Sequence, residues 1–286
     1  MATTTGIFYP IAGKTSPIDF YVGRSVPFGG ITWASQRNYG SGDDIVDTAG
    51  FISMYVACDT QAGYWNALRR AQIHFDCAAI PDNAIIQSAT FSFIPYSSNN
   101  SLNIASPRTD FIIVSATCAS DTQATASDYA IANYGTAPLA NRITTFSLAT
   151  TSSVALNSTG IAYISKTGIT RFGILLGCDL DNSEPPFTWL TGYRMTFWSA
   201  DAASGTSVCP KLSVVYYTPV KNVRYDSAGT SYNLLTAEAT GSEQYRCYNG
   251  ATVLGFSVVS DTAANASAFR CCINSGVVSA LVKTAT

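Results

Sequence analysis

The chain has 286 residues, of which 12% are charged, and a formal net charge of −2. That length suits one large β domain followed by a smaller one and leaves ample chain for a real core. The sparse, balanced charge, with no cluster of Lys and Arg interleaved with aromatics, excludes the phosphate-neutralising groove of a nucleic-acid partner.

The opening "MATTTGIFYP" lacks a basic region followed by an apolar one, and no run approaches the ~18 apolar residues of a membrane span, so neither an export signal nor a membrane partner is expected. In chain order, the β-rich runs bounded by Gly, Pro, Asn, Asp and Ser are 51–58, 70–77, 85–96, 110–117, 171–178, 193–200 and 211–217. No window keeps a helical apolar spacing for three turns; a single turn near 156–165 is predicted, capped by Asn157 or Ser158. These runs predict an all-β fold, a jelly-roll sandwich over residues 1–218.

Beyond Thr218-Pro219 the pattern changes. Segments starting at Val223, Tyr245 and Phe269 each place an apolar residue before an arginine (Arg224, Arg246, Arg270), and a glycine follows at Gly229, Gly250 and Gly276. That spacing predicts a small β domain of three hairpin-like repeats over 220–286, with each glycine at a turn that tolerates positive φ. About 67 residues with few large apolar side chains make a marginal core, so this unit is expected to lean on neighbours, its arginines serving as assembly contacts.

The run "LRRAQIHFDCAAIPDNAIIQSATFSFIPY" carries Phe75, Asp76, Ile80, Pro81, Ala84, Ile86, Ser88, Ala89 and Phe91, and "CPKLSVVYY" carries Pro210, Leu212, Val214 and Tyr216. On those residues the chain resembles the DNRLRE-type jelly-roll domain, although His74 precedes Phe75 where that family usually has Arg. The tail, with "FRCCINSGVVSALVKT", is similar to the short hairpin repeats of bacteriophage structural proteins. Neither resemblance brings a catalytic set. Together they imply a virion structural protein: an accessory capsid protein (decoration or head fibre) or a tail appendage, homo-oligomeric and bound to other virion proteins. It would assemble in the host cytoplasm and reside in the virion. The alternative is a carbohydrate-binding module or adhesin that contacts host-surface glycans.

Candidate sites are few. His74, the only histidine, lies opposite Ile73 and Phe75 on an alternating strand and is expected to face outward, so its replacement by Ala should change stability by no more than ~0.5 kcal/mol. Without a GxSxG elbow or a second histidine, no catalytic relay, metal or cofactor is expected, and the chain reads as a non-enzyme. Asp43 and Asp44, and Asp179, Asp181 and Glu184, are the densest carboxylates; Asp179 and Asp181 could bind calcium, but EF-hand spacing is not met, and Asx-type turns are the stronger expectation. Trp65, Trp189 and Trp198 are the candidates for a glycan or partner contact. The eight cysteines, with no CxxC, are expected to be mostly small buried hydrophobes.

Overall fold

The computed structural model describes residues 3–26 and 29–218, together with the strand backbones 223–225, 231–233, 268–273 and 277–282. The chain divides into two compact units, residues 2–218 and a second from 219 onward. In the first unit the strands are β1 (Thr4–Phe8), β2 (Asp19–Ser25), β3 (Ile31–Thr32), β4 (Asp44–Val46), β5 (Phe51–Cys58), β6 (Tyr64–Asp76) and β7 (Ile85–Phe93). They continue with β8 (Pro95–Asn100), β9 (Phe111–Ala116), β10 (Tyr134–Pro138), β11 (Ser152–Ala155), β12 (Ile169–Leu176), β13 (Gly192–Trp198) and β14 (Lys211–Tyr217). Short helices are α1 (Trp33–Asn38), α2 (Ser158–Tyr163) and α3 (Gly177–Leu180).

All pairings are antiparallel and form two sheets, one of four strands in the order β1-β14-β7-β11 and one of ten built along β10-β9-β12-β6-β5-β13-β8. This is a mostly β, sandwich-like fold. Every predicted strand run is present. The run 85–96 needs correction, because it is not one strand: β7 belongs to the four-stranded sheet and β8, starting at Pro95, to the ten-stranded one. Proline brings no N–H to a ladder, which suits a strand start after such a switch. The predicted turn is α2, and Asn157 caps it by accepting from the Gly160 N–H at 2.9 Å.

Phenylalanines tie the sheets together. Phe91 of β7 meets Phe75 of β6 and Phe172 of β12 edge to face, with centroids 6.3 and 6.2 Å apart, and Phe93 stacks on Phe111 at 4.9 Å. Such pairs add about 0.5–1.5 kcal/mol each beyond area burial. Alternation explains the choice of residues: Ile73 and Phe75 point into this core, while Arg70, Gln72 and His74 point to the opposite side of the ten-stranded sheet.

That opposite side is not uniformly wet. Over β6, β9 and β12 it is covered by residues 117–134, which the sheet's own side chains hold: Gln72 Nε2 donates to the Thr117 carbonyl at 3.0 Å, and Arg70 donates to that of Tyr129. Ile112, Val114, Tyr134 and Leu175 make a second, smaller apolar cluster there. Elsewhere on the ten-stranded sheet, Phe51 of β5 and Tyr96 of β8 are exposed.

In the second unit, β15 (Val223–Tyr225) pairs with β16 (Ser231–Asn233), and β17 (Ala268–Ile273) with β18 (Val277–Val282). Arg224 stands opposite Tyr232 and Arg270 opposite Ala280. Arg246 and the three turn glycines lie outside the described residues.

Candidate functional site

The three candidate tryptophans do not form one surface. Trp65 is 0% exposed; its indole N–H donates to Glu184 Oε1 at 3.0 Å and its ring packs edge-on against Trp33. The expectation of a contact through Trp65 is therefore corrected: β6 is the central strand, and α1 closes over this end of it. Trp189 is 62% exposed in the loop before β13, and Trp198 ends that strand. The seven residues of β13, roughly 20 Å end to end at ~3.3 Å each, carry the chain from the Trp189 loop to Trp198.

Trp198 has other aromatic neighbours. Its ring lies 4.4 Å from that of Tyr96 on β8, and Tyr96 stacks with Phe51 of β5 at 6.4 Å. Tyr96 is 50% exposed and Phe51 37%. β8 ends the ten-stranded sheet, so this trio sits beside an edge to which no further strand is paired among the described residues, although the Ala149 N–H donates to the Pro95 carbonyl at 2.8 Å. Ser97 and Thr196, hydrogen-bonded at 2.6 Å, and the exposed Arg194 continue across the same strands. Sequence reading missed Tyr96 and Phe51, because they join Trp198 only through strand pairing.

The acidic candidates are held by arginines. Asp179 is buried and accepts from fully buried Arg70 through Nε at 2.7 Å and NH2 at 2.9 Å, with Arg37 Nε 3.4 Å away. Asp181 receives both terminal nitrogens of Arg142 at 2.6 Å, and that pairing holds its carboxyl below the usual range. Asp43 pairs with Arg24 at 3.1 Å and Asp44 with Arg69 at 2.7 Å. The carboxylates of Asp179 and Asp181 are thus each engaged by a guanidinium.

His74 is the largest departure from expectation. It is 0% exposed, because residues 117–134 cover its side of the sheet, so the near-neutral effect expected of an outward residue no longer applies. Phe20 packs edge-on against the ring at 5.6 Å, and burial, opposed by the charge of Asp121 and aided by that of Arg171, pushes its pKa down to about 4. Nε2 lies 3.2 Å from Gln72 Oε1, whereas Nδ1 has no hydrogen-bond partner and faces Asp121 Oδ1 at 3.5 Å. Asp121 is held by Arg171 through Nε at 2.7 Å and NH2 at 2.5 Å, and the Cys118 thiol points at its Oδ1 from 3.6 Å. Burial, then the Asp121 charge, raises the Cys118 thiol to about 11. Cys58, Cys77, Cys178 and Cys209 are buried and unbridged, as expected of small hydrophobes.

With this geometry in place, the chain was compared with known proteins. No protein-family model matches it, and no curated protein is similar to it. The DNRLRE-type likeness therefore stands on the quoted motif residues alone, which fall on β6, β7 and β14 except for Ile80, Pro81 and Ala84 in the β6–β7 connection and Pro210 just before β14.

Proposed function

We propose that the chain is a bacteriophage virion structural protein, an accessory capsid or tail-appendage component, whose jelly-roll unit works through protein–protein contacts and not by catalysis. The reading rests on the two motif resemblances, and one observation of the fold supports it: the exposed Phe51 and Tyr96 and the half-buried Trp198 beside β8, the last strand of its sheet. Aromatic residues with one apolar face in water are what protein interfaces concentrate at their centres. An unpaired strand edge adds backbone donors and acceptors that a second protein can extend. Other virion proteins and further copies of this chain are the partners of this reading.

A glycan-binding reading has its own observation. The half-buried Ser97 hydroxyl and the exposed Arg194 guanidinium lie on the strands that carry Tyr96 and Trp198, the mixture of flat apolar surface and polar groups that a sugar face uses. The two readings part in one experiment. The double variant Tyr96→Ala/Trp198→Ala, folded by circular dichroism, is expected to lose at least about tenfold in attachment to particles that lack the protein, the effect of truncating one interface hot spot. Unchanged attachment together with lost binding to a glycan array would replace the contact reading with the adhesin one.

A further inference from the structure

We propose that His74 Nδ1, Cys118 Sγ and Asp121 Oδ1 form a zinc site that clasps the covering segment 117–134 onto strand β6.

The argument starts from Gln72. The Thr117 carbonyl can only accept, so the Gln72 nitrogen must face it, at 3.0 Å. That fixes Oε1, an acceptor, toward His74 Nε2 at 3.2 Å and places the ring proton on Nε2. Nδ1 is left as a bare lone pair inside the protein with no hydrogen-bond donor to satisfy it. A buried acceptor in that state costs about 1–3 kcal/mol and calls for an explanation. The Asp121 Oδ1 carboxylate oxygen that faces it at 3.5 Å also brings only lone pairs.

A cation resolves this. The three ligand atoms lie within 4.8 Å of one another. Two of the separations, 3.5 Å from Nδ1 to Oδ1 and 3.6 Å from Sγ to Oδ1, already match the edges of about 3.3–3.8 Å that tetrahedral zinc with bonds of ~2.0–2.3 Å requires. Imidazole, thiol and carboxylate are the donors zinc takes, and the soft thiol disfavours calcium and magnesium. The outer partners fit as well, since a metal-bound histidine usually passes its other N–H to an oxygen, here Gln72 Oε1. Arg171 occupies only part of Asp121: Oδ1 accepts from Nε and keeps a further lone pair. Asp121 and Cys118 are half-buried, which gives a route for entry and a fourth position for water. His74 comes from β6 and the other two ligands from the segment that covers it, so a bound ion would join the two.

The test uses the full chain, stripped with a chelator, with CoCl2 and ZnCl2 as probes. Cobalt is expected to produce a near-ultraviolet thiolate charge-transfer band, and zinc to raise the melting temperature. Cys118→Ser should abolish the band and weaken zinc binding by at least about 100-fold, the upper end of what losing an outer-shell partner alone costs. Asp121→Asn, at a half-exposed position, provides a second folded variant and should remove the thermal shift. Wild type that gives neither band nor shift would overturn the site. A band that survives in Cys118→Ser would do so too, by placing the metal on other cysteines.

Discussion

Replacing Arg70 by methionine is expected to lower the unfolding free energy of the sandwich unit by about 3–5 kcal/mol, the cost of leaving a buried charge without its partner. Arg70 is fully buried and forms a two-pronged bond to Asp179 through Nε and NH2; NH2 also donates to the Arg37 carbonyl and NH1 to that of Tyr129, and its Cζ lies 4.4 Å from the centre of the Tyr129 ring. One side chain thus links β6 to α1, α3 and the covering segment. Arg70→Met would strand the Asp179 carboxylate in the interior. Arg70→Met/Asp179→Leu removes both charges and should recover at least half of the loss, because a well-packed apolar pair is often no less stable than a buried ion pair. Urea denaturation of the two variants measures this. A loss below about 1 kcal/mol in the single variant would mean that the charges are not desolvated as described.

The second large effect is a pH dependence centred on Asp19. This carboxyl at the start of β2 is wholly buried; Oδ2 accepts from the Ala200 N–H at 2.8 Å, and Oδ1 has no hydrogen-bond partner. Burial, aided by the charge of Asp201 and opposed by the Ala200 bond, pushes its pKa up to about 7. Between about pH 4 and 7 the folded chain holds a proton that the unfolded chain has released, so this group's contribution to stability falls as pH rises through that window. About three pKa units at 1.36 kcal/mol each give an effect on the order of 4 kcal/mol. Asp19→Asn keeps the acceptor for Ala200 without the charge. The free-energy difference between Asp19→Asn and wild type should therefore grow in favour of the variant from pH 4 to pH 8. A difference that stays flat across that range would contradict the burial of an ionisable carboxyl at this position.

Strand positions were legible because they depend on local alternation. Ile73 and Phe75 do face the core, and His74 does face away from it. What alternation cannot say is whether the far side of a sheet is wet. Residues 117–134 cover His74 and Arg70, and that cover is set by tertiary packing 40 or more positions away from β6. The same distance hid the His74, Cys118 and Asp121 cluster: its members are separated by 44 and 47 positions and match no ligand spacing. Trp65 misled for the opposite reason. Its aromatic neighbours in "GYW" resemble a surface platform, yet it sits on the strand that pairs with four others. The break of the run 85–96 at Ile94 had one readable signal, Pro95.

The role proposed for this sandwich protein is contact within a phage particle. Electron microscopy of purified particles, with the chain marked by a gold-tagged antibody, tests it most directly. The account predicts label at regular, symmetry-related positions on the capsid or tail, and its loss when Tyr96→Ala/Trp198→Ala replaces the wild-type chain. Particles that carry no label, while the protein is recovered free in the lysate, would contradict it.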